Sequence, residues 1–319
     1  MIFRVRSRAL PARFRRHRLL IVGCGDVGMR VVRKLDTQRM QVLALNSTPE
    51  RAAMLRAAGI RVLSGNLDAP ATLHRLAGLA HSLLHLAPPG AESPEADPRT
   101  RALIGALRRG RLPRRVIYGS TSGVYGNRGG QWTDETAPCA PLTARARRRV
   151  DAEQALRQWG RAGQGLPAVR ILRIPGIYAP DREGGTPRER LLRGTPVLAQ
   201  QDDVFTNHIH ADDLARACLR ALWKGAPQRI YNANDDSCSR MGDYVDLAAD
   251  LYGLPRPPRL PWEQAREQLP ATLLSFMQES RRLHNRRLKR ELGLVLRYPT
   301  PAQGLQAATP IAAATIDPC

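Results

Sequence analysis

Short apolar runs alternate with longer amphipathic stretches through the first half of the chain. Leu19-Leu20-Ile21-Val22 reads as a buried strand, and Met29 to Leu35 as the helix that follows it. The same alternation predicts strands at Gln41 to Leu45 and Ile60 to Leu63, with a helix at Pro49 to Ala58 between them. A fourth strand, Ser82 to Leu86, runs into Ala87-Pro88-Pro89-Gly90, and an acidic, proline-rich loop at Ala91 to Asp97 precedes a helix at Arg99 to Arg108. Val116 to Tyr118 and Val169 to Leu172 predict the fifth and sixth strands, separated by a helix from Thr143 to Trp159. Strands and helices in this order predict βαβ units on a parallel sheet. After Tyr178 the regularity weakens into loops at Asp181 to Pro187 and Pro255 to Pro261, with helices at Asp213 to Trp223 and Met241 to Tyr252. The expected organisation is a basic N-terminal tail (1–17), a main α/β domain (18–178) and a smaller C-terminal lobe interleaved with the sheet (179–319).

Composition narrows this picture in a few places. A chain of 319 residues with 43% hydrophobic content can bury a sizeable core. No run of about 18 apolar residues occurs, so no membrane span is expected. The five cysteines are scattered and form no C-x-x-C pair, which reads as free thiols in a reducing cytoplasm. The net charge of +22 invites a nucleic-acid partner. However, only Lys34, Lys224 and Lys289 are lysines, and the arginines are spread along the chain, which argues against that partner. The dense cluster is Arg4, Arg6, Arg8, Arg13, Arg15, Arg16 and Arg18, open both to a basic tail and to an organelle-targeting peptide; Met1 to Arg18 lacks the apolar core of a secretory signal. Monomer and homodimer both stay open.

The chemistry begins at Gly23-Cys24-Gly25-Asp26-Val27-Gly28, a G-x-G-x-x-G that directly follows a strand and opens a helix. In that context Gly23 permits the tight turn, Gly25 lets backbone approach a pyrophosphate, and Gly28 lets helix pack on strand. The helix N-terminus then offers free N–H groups and a positive dipole to the phosphates. This predicts a Rossmann doubly wound sheet binding NAD or NADP. After the second strand, where a carboxylate would bind the ribose 2′-hydroxyl of NAD, the chain has Asn46, Ser47 and Thr48, with Arg51 close behind. With no carboxylate to repel a 2′-phosphate and an arginine to pair with it, NADP is favoured over NAD.

Further motifs follow in order: Gly65-Asn66-Leu67-Asp68, the stretch Gly119-Ser120-Thr121-Ser122-Gly123-Val124-Tyr125-Gly126, Arg173-Ile174-Pro175-Gly176-Ile177-Tyr178, and Asn207-His208-Ile209-His210-Ala211-Asp212-Asp213-Leu214. With the glycine loop they make the chain, from about Leu19 to Leu305, resemble the extended short-chain dehydrogenase/reductases, which include nucleotide-sugar epimerases and dehydratases. The Ala-Pro-Pro-Gly loop and the late segment Glu279-Ser280-Arg281-Arg282-Leu283-His284-Asn285 look like an atypical, NAD-dependent epimerase/dehydratase-like branch. The resemblance implies that Leu67 and Asp68 lie beside the adenine and that Ala87, Pro88 and Pro89 line the cofactor's ribose and pyrophosphate. It also implies that Thr121 is the catalytic Ser/Thr and that Pro175 to Tyr178, with Ile177, border the nicotinamide and a polar small-molecule substrate such as a nucleotide sugar.

One departure sets the functional question. Family enzymes carry Tyr-x-x-x-Lys on the helix after the fifth strand, the lysine lowering the tyrosine pKa for proton transfer. Aligning that helix on Asp151-Ala152-Glu153-Gln154 puts Arg145 and Arg149 at those two positions, and none of the seven tyrosines has a lysine four residues later. Arginine stays protonated and is a poor proton carrier. Arg149 remains a fixed charge for the nicotinamide ribose or a substrate anion; Arg145, Arg147, Arg148 and Arg149 together read mostly as a solvated face. Tyr125 and Tyr178 are the candidate replacement acids, each weighed against simple packing. His210-x-Asp212-Asp213 reads as a helix start with Asp212 as cap, and no metal site is expected. Two functions stand: an NAD(P)-dependent oxidoreductase or epimerase/dehydratase-like enzyme, and a non-catalytic NAD(P)-binding redox sensor or regulator.

Overall fold

The computed structural model describes residues 16–162 and 167–306; the arginines at positions 4 to 15 and Cys319 lie outside them. Seven parallel strands form the central sheet: β1 (His17–Val22), β2 (Met40–Asn46), β3 (Arg61–Ser64), β4 (Ser82–His85), β5 (Arg115–Thr121), β6 (Ala168–Ile174) and β7 (Arg229–Asn232). Their spatial order is β7-β6-β5-β4-β1-β2-β3. The order reverses at β1, which pairs with β2 on one side and β4 on the other. In doubly wound sheets the ligand crevice lies beyond the carboxyl ends of the strands at such a switch point.

Leu19, Leu20, Ile21 and Val22 are all buried, as a continuous apolar run predicts for a strand covered on both faces. One face is covered by α1 (Asp26–Arg33), α2 (Pro49–Ala57) and a later helix, α5 (Ala211–Lys224), whose Leu214, Ala217 and Cys218 share a core with Val27 and Val31. The other face is covered by α3 (Pro98–Arg108) and α4 (Ala144–Ala162), which bury Leu103, Leu107, Leu156 and Trp159. Helix starts follow capping chemistry. Asp97 accepts from Thr100 N ahead of Pro98 in α3, and Thr143 Oγ1 accepts from Ala146 N ahead of α4. The lobe helix α6 (Met241–Tyr252) ends at Gly253 in the left-handed conformation, φ 61°.

The structure departs from expectation at three points. β7 was not anticipated: its four residues follow Pro227-Gln228 and pair only with β6 at the sheet edge. Residues beyond 178 thus return to complete the sheet, through β7 and α5. Second, α5 is capped by His210, whose Nδ1 accepts from Asp212 N, while Asp212 pairs with Arg30 and Lys34 instead. Third, Arg145 and Arg149 line the large cavity described below, Arg149 half-buried and Arg145 still exposed. Among the described residues no helix is long and apolar enough to cross a membrane.

Candidate functional site

Each glycine of the loop meets a different physical demand. Gly23 sits at φ +84°, and a Cβ there would lie 2.3 Å from Ala87 N, so the first glycine lets β1 and the segment after β4 touch backbone to backbone. A Cβ on Gly28 would meet Cys24 Sγ at 3.2 Å, the close packing of helix on loop. A Cβ on Gly25 would meet nothing within 4 Å. The first bond of α1 runs from Met29 N to Gly25 O, leaving the N–H groups of Asp26, Val27 and Gly28 without partners in the helix. Open space beside unpaired N–H groups at a helix N-terminus fits a diphosphate.

Two depressions meet at this loop. The smaller, about 280 Å³, is lined by Gly23, Cys24, Asn46, Ser47, Thr48, Arg51, Leu67, Asp68, Ala87, Pro88 and Arg99. It gathers the residues expected around the adenosine half of the cofactor; Pro89 stands outside it. Arg51 Nη2 donates to Cys24 O at 3.0 Å, which holds the guanidinium over the glycine loop. Asp68, the sole carboxylate of this lining among the described residues, is held by both Nε and Nη2 of Arg99 (2.6 and 2.5 Å), and this hydrogen bonding keeps its pKa below the usual carboxylate value.

The larger cavity, about 830 Å³, continues from Gly23, Gly25, Asp26, Val27 and Gly28 along the ends of β5 and β6 to the lobe. Thr121, Arg149, Pro175 and Ile177 line it. Thr121 Oγ1 accepts from Gly123 N at 3.2 Å. Arg149 Nη1 donates to Tyr118 OH and to Gly119 O (3.1 and 2.5 Å), which pins it beneath the cavity. Arg145 lines the same wall, its guanidinium 4.6 Å from the centre of the Phe276 ring; burial lowers its pKa.

Tyr125 and Tyr178 are not brought to this cavity. Tyr125 is fully buried and donates to Asn232 Oδ1 at 2.7 Å, and burial pushes its pKa to about 12. Tyr178, 2% exposed, donates to Thr300 O and packs edge-on against His210; burial raises its pKa further still. Both are packing residues, because a phenol must reach the reacting atoms to exchange a proton with them.

Residues to which the sequence assigned no role complete the site. Arg182, Arg190, Phe276, Glu279 and Arg281 line the large cavity. Asp26 is held by Arg30 at 3.1 Å and Arg182 at 3.3 Å, so its charge beside the loop is offset. Burial lowers the Arg190 pKa. Five arginines (145, 149, 182, 190 and 281) thus face two carboxylates, Asp26 and Glu279, a strongly anion-attracting wall. The one available signal was the Glu279 to Asn285 segment, which stood out as a family feature but suggested no role.

Sheet topology, switch point and glycine loop define an NAD-binding protein of Rossmann type. The family model for the NAD dependent epimerase/dehydratase family matches residues 19–233, and the chain belongs to that family. Among solved structures, a conserved protein of unknown function from Silicibacter pomeroyi is 30% identical, with a TM-score of 0.74 over 91% of this chain and 97% of that one. A UDP-glucose 4-epimerase from Thermotoga maritima, solved with UDP-glucose, is 20% identical over 91% and 96% of the two chains, TM-score 0.74. MoeE5, in complex with UDP-glucose and NAD, is 22% identical over 90% and 95%, TM-score 0.71. The last two likenesses concern the fold. No curated protein matches the sequence.

Proposed function

We propose that the protein is an NADP-preferring enzyme of the oxidoreductase or epimerase/dehydratase type acting on an anionic, hydroxyl-bearing small molecule. The observation that carries this is the arginine-rich cavity opening directly onto the glycine loop. The adenosine end of the cofactor would be held by Arg51, Leu67, Asp68 and Ala87, and its diphosphate by the loop and the start of α1. A nicotinamide cofactor bound there would supply hydride exchange with a substrate carbon.

The chain's own contribution is positioning and charge. Thr121 offers a hydroxyl to orient a substrate oxygen. Arg145 and Arg149, permanently charged, stabilise negative charge developing on that oxygen without exchanging its proton. Arg190 and Arg281 favour a substrate with a phosphate or carboxylate, and the UDP-sugar complexes of the structural neighbours support a nucleotide sugar. Calorimetry with NADPH, followed by UDP-glucose added to the complex, tests this. The expected result is saturable binding of both, the second weakening as salt rises. Absence of NADPH binding would remove the proposal.

The burial of Tyr125 and Tyr178 away from the cavity favours a second reading, the non-catalytic redox sensor. A protein that binds NADP and NADPH with different affinities, yet never changes the redox state of the nicotinamide with any hydroxyl-bearing anion, would establish it.

A further inference from the structure

Asp26 is out of place in a diphosphate cradle. A carboxylate in the first turn of α1 takes up the positive end of the helix that the phosphates need, and repels them. Three carboxylates, Asp26, Asp181 and Asp212, meet three cations here, Arg30, Lys34 and Arg182. Arg30 is 4% exposed and divided among all three carboxylates, and Lys34 pairs with Asp212. Of these cations only Arg182 lines the large cavity, together with Gly25, Asp26, Val27 and Gly28.

Arg182 comes from the lobe yet is fixed against the loop. Its segment closes on itself: Ala179 N donates to Gly185 O, Arg182 N to Ala179 O and Gly185 N to Arg182 O, at 3.2, 3.2 and 2.9 Å. Asp181 accepts from Arg30 Nη2 at 2.7 Å, and Arg182 Nη1 donates to Asp26 Oδ2 at 3.3 Å. Two successive lobe residues thus pair with two residues one turn apart on α1. Arg182 Nε and Nη2, the side-on fork that suits phosphate oxygens, have no partner among the described residues, and they are open to solvent on a side chain 30% exposed.

We propose that Arg182 binds the diphosphate of the cofactor, its Nη1 kept on Asp26 and its free fork donating to the phosphate oxygens. This rests on the cofactor reading above. Asp26 is then the residue that aims a lobe arginine at the glycine loop, and the bound cofactor ties the lobe to the sheet.

The test is calorimetry of NADPH binding to the full chain, with thermal melting as the check on folding. Arg182→Ala should weaken NADPH about 10- to 100-fold with little change in Tm, because the bond it gives up to Asp26 is partly exposed. Arg182→Lys keeps the charge and a pairing with Asp26 but not the fork, so it should recover only part of the loss; this comparison holds even if alanine lowers Tm. The deciding comparison is made in Asp26→Asn, where no carboxylate remains to be offset. There Arg182→Ala should still cost about tenfold, whereas an arginine that served only to cancel Asp26 would no longer matter. An Arg182→Ala protein that binds NADPH within about threefold of wild type, full recovery by lysine, or disappearance of the effect in Asp26→Asn overturns the proposal while the cofactor reading stands. If the wild type does not bind NADPH, the cofactor reading falls, and this proposal with it.

Discussion

Replacing Gly25 with valine should abolish dinucleotide binding and spare the fold. The residue sits at φ −83°, ordinary for any L-amino acid, and a Cβ there meets nothing within 4 Å, so the free protein has room for the side chain. That room is where the diphosphate must approach the loop. Hydrogen bonds to charged groups contribute about 1.5–3 kcal/mol each, so displacing the phosphates from two loop N–H groups costs roughly 3–6 kcal/mol, about 10²- to 10⁴-fold in Kd. Gly23→Ala is the contrasting control. Its φ of +84° and the 2.3 Å approach to Ala87 N place the damage in the free protein. The left-handed conformation alone costs about 1–2 kcal/mol, and the backbone overlap adds to it. NADPH titration by calorimetry, paired with thermal melting, separates the two. The refuting result is a Gly25→Val protein with unchanged Tm and an NADPH affinity within about threefold of wild type.

Arg51→Ala should weaken NADP about tenfold and leave NAD nearly unchanged, and Asn46→Asp should shift preference toward NAD; equal effects on the two cofactors in either variant would show that this end of the pocket was misassigned. Thr121→Ala should cost about 10²-fold or more in turnover once a substrate is found, whereas Tyr125→Phe should leave turnover intact and cost about 1–3 kcal/mol of stability, because Asn232 Oδ1 loses its buried donor. A turnover defect in Tyr125→Phe without a stability loss would return the phenol to the mechanism. Burial lowers the His85 pKa from 6.5 to about 3, so the unfolded chain takes up a proton that the folded one refuses. Its contribution to stability is complete above pH 6.5 and is lost at about 1.4 kcal/mol per pH unit as pH falls toward 3. His85→Gln removes this slope, and unfolding free energies of the two proteins that run parallel between pH 6.5 and 4 would contradict it.

The sheet and the loop were legible because their determinants are local. Leu19 to Val22 can only be a buried strand, and the glycine spacing after it suits only a turn into a helix. β7 was hidden because four residues at a sheet edge carry little periodicity, and its place depends on pairing with β6 some 60 residues earlier. Tyr125 is a candidate acid from its place in the loop after a sheet strand, but its orientation is fixed by Asn232, 107 residues away, which no local pattern reveals. The arginines of α4 did carry a usable signal: positions 145 and 149, four apart, share the face turned to the cavity, while Arg148 donates to Ser93 O and Arg147 to Leu142 O. Glu279 and Arg281 belong to a segment legible only as a family feature, since their place in the cavity wall depends on how the lobe folds back, which no local pattern carries.

The packing of α1 on α5 has a consequence for how the protein is made. Val27 and Val31 are covered by residues of a helix that begins at Ala211, about 180 residues after α1 ends, and Leu288, Leu292 and Leu294 join the same core later still. At about 5–20 residues per second on the ribosome, roughly 10–40 s pass between synthesis of the glycine loop and arrival of its support. Through that interval the nascent chain carries the glycine loop on a helix whose sheet-facing side has β1 and β2 to pack on but whose α5-facing side is uncovered. The glycine loop and its helix, translated well before α5, are therefore locked in place only once α5 follows, and a chain released before α5 would display that side to the chaperones and proteases that survey unfinished products.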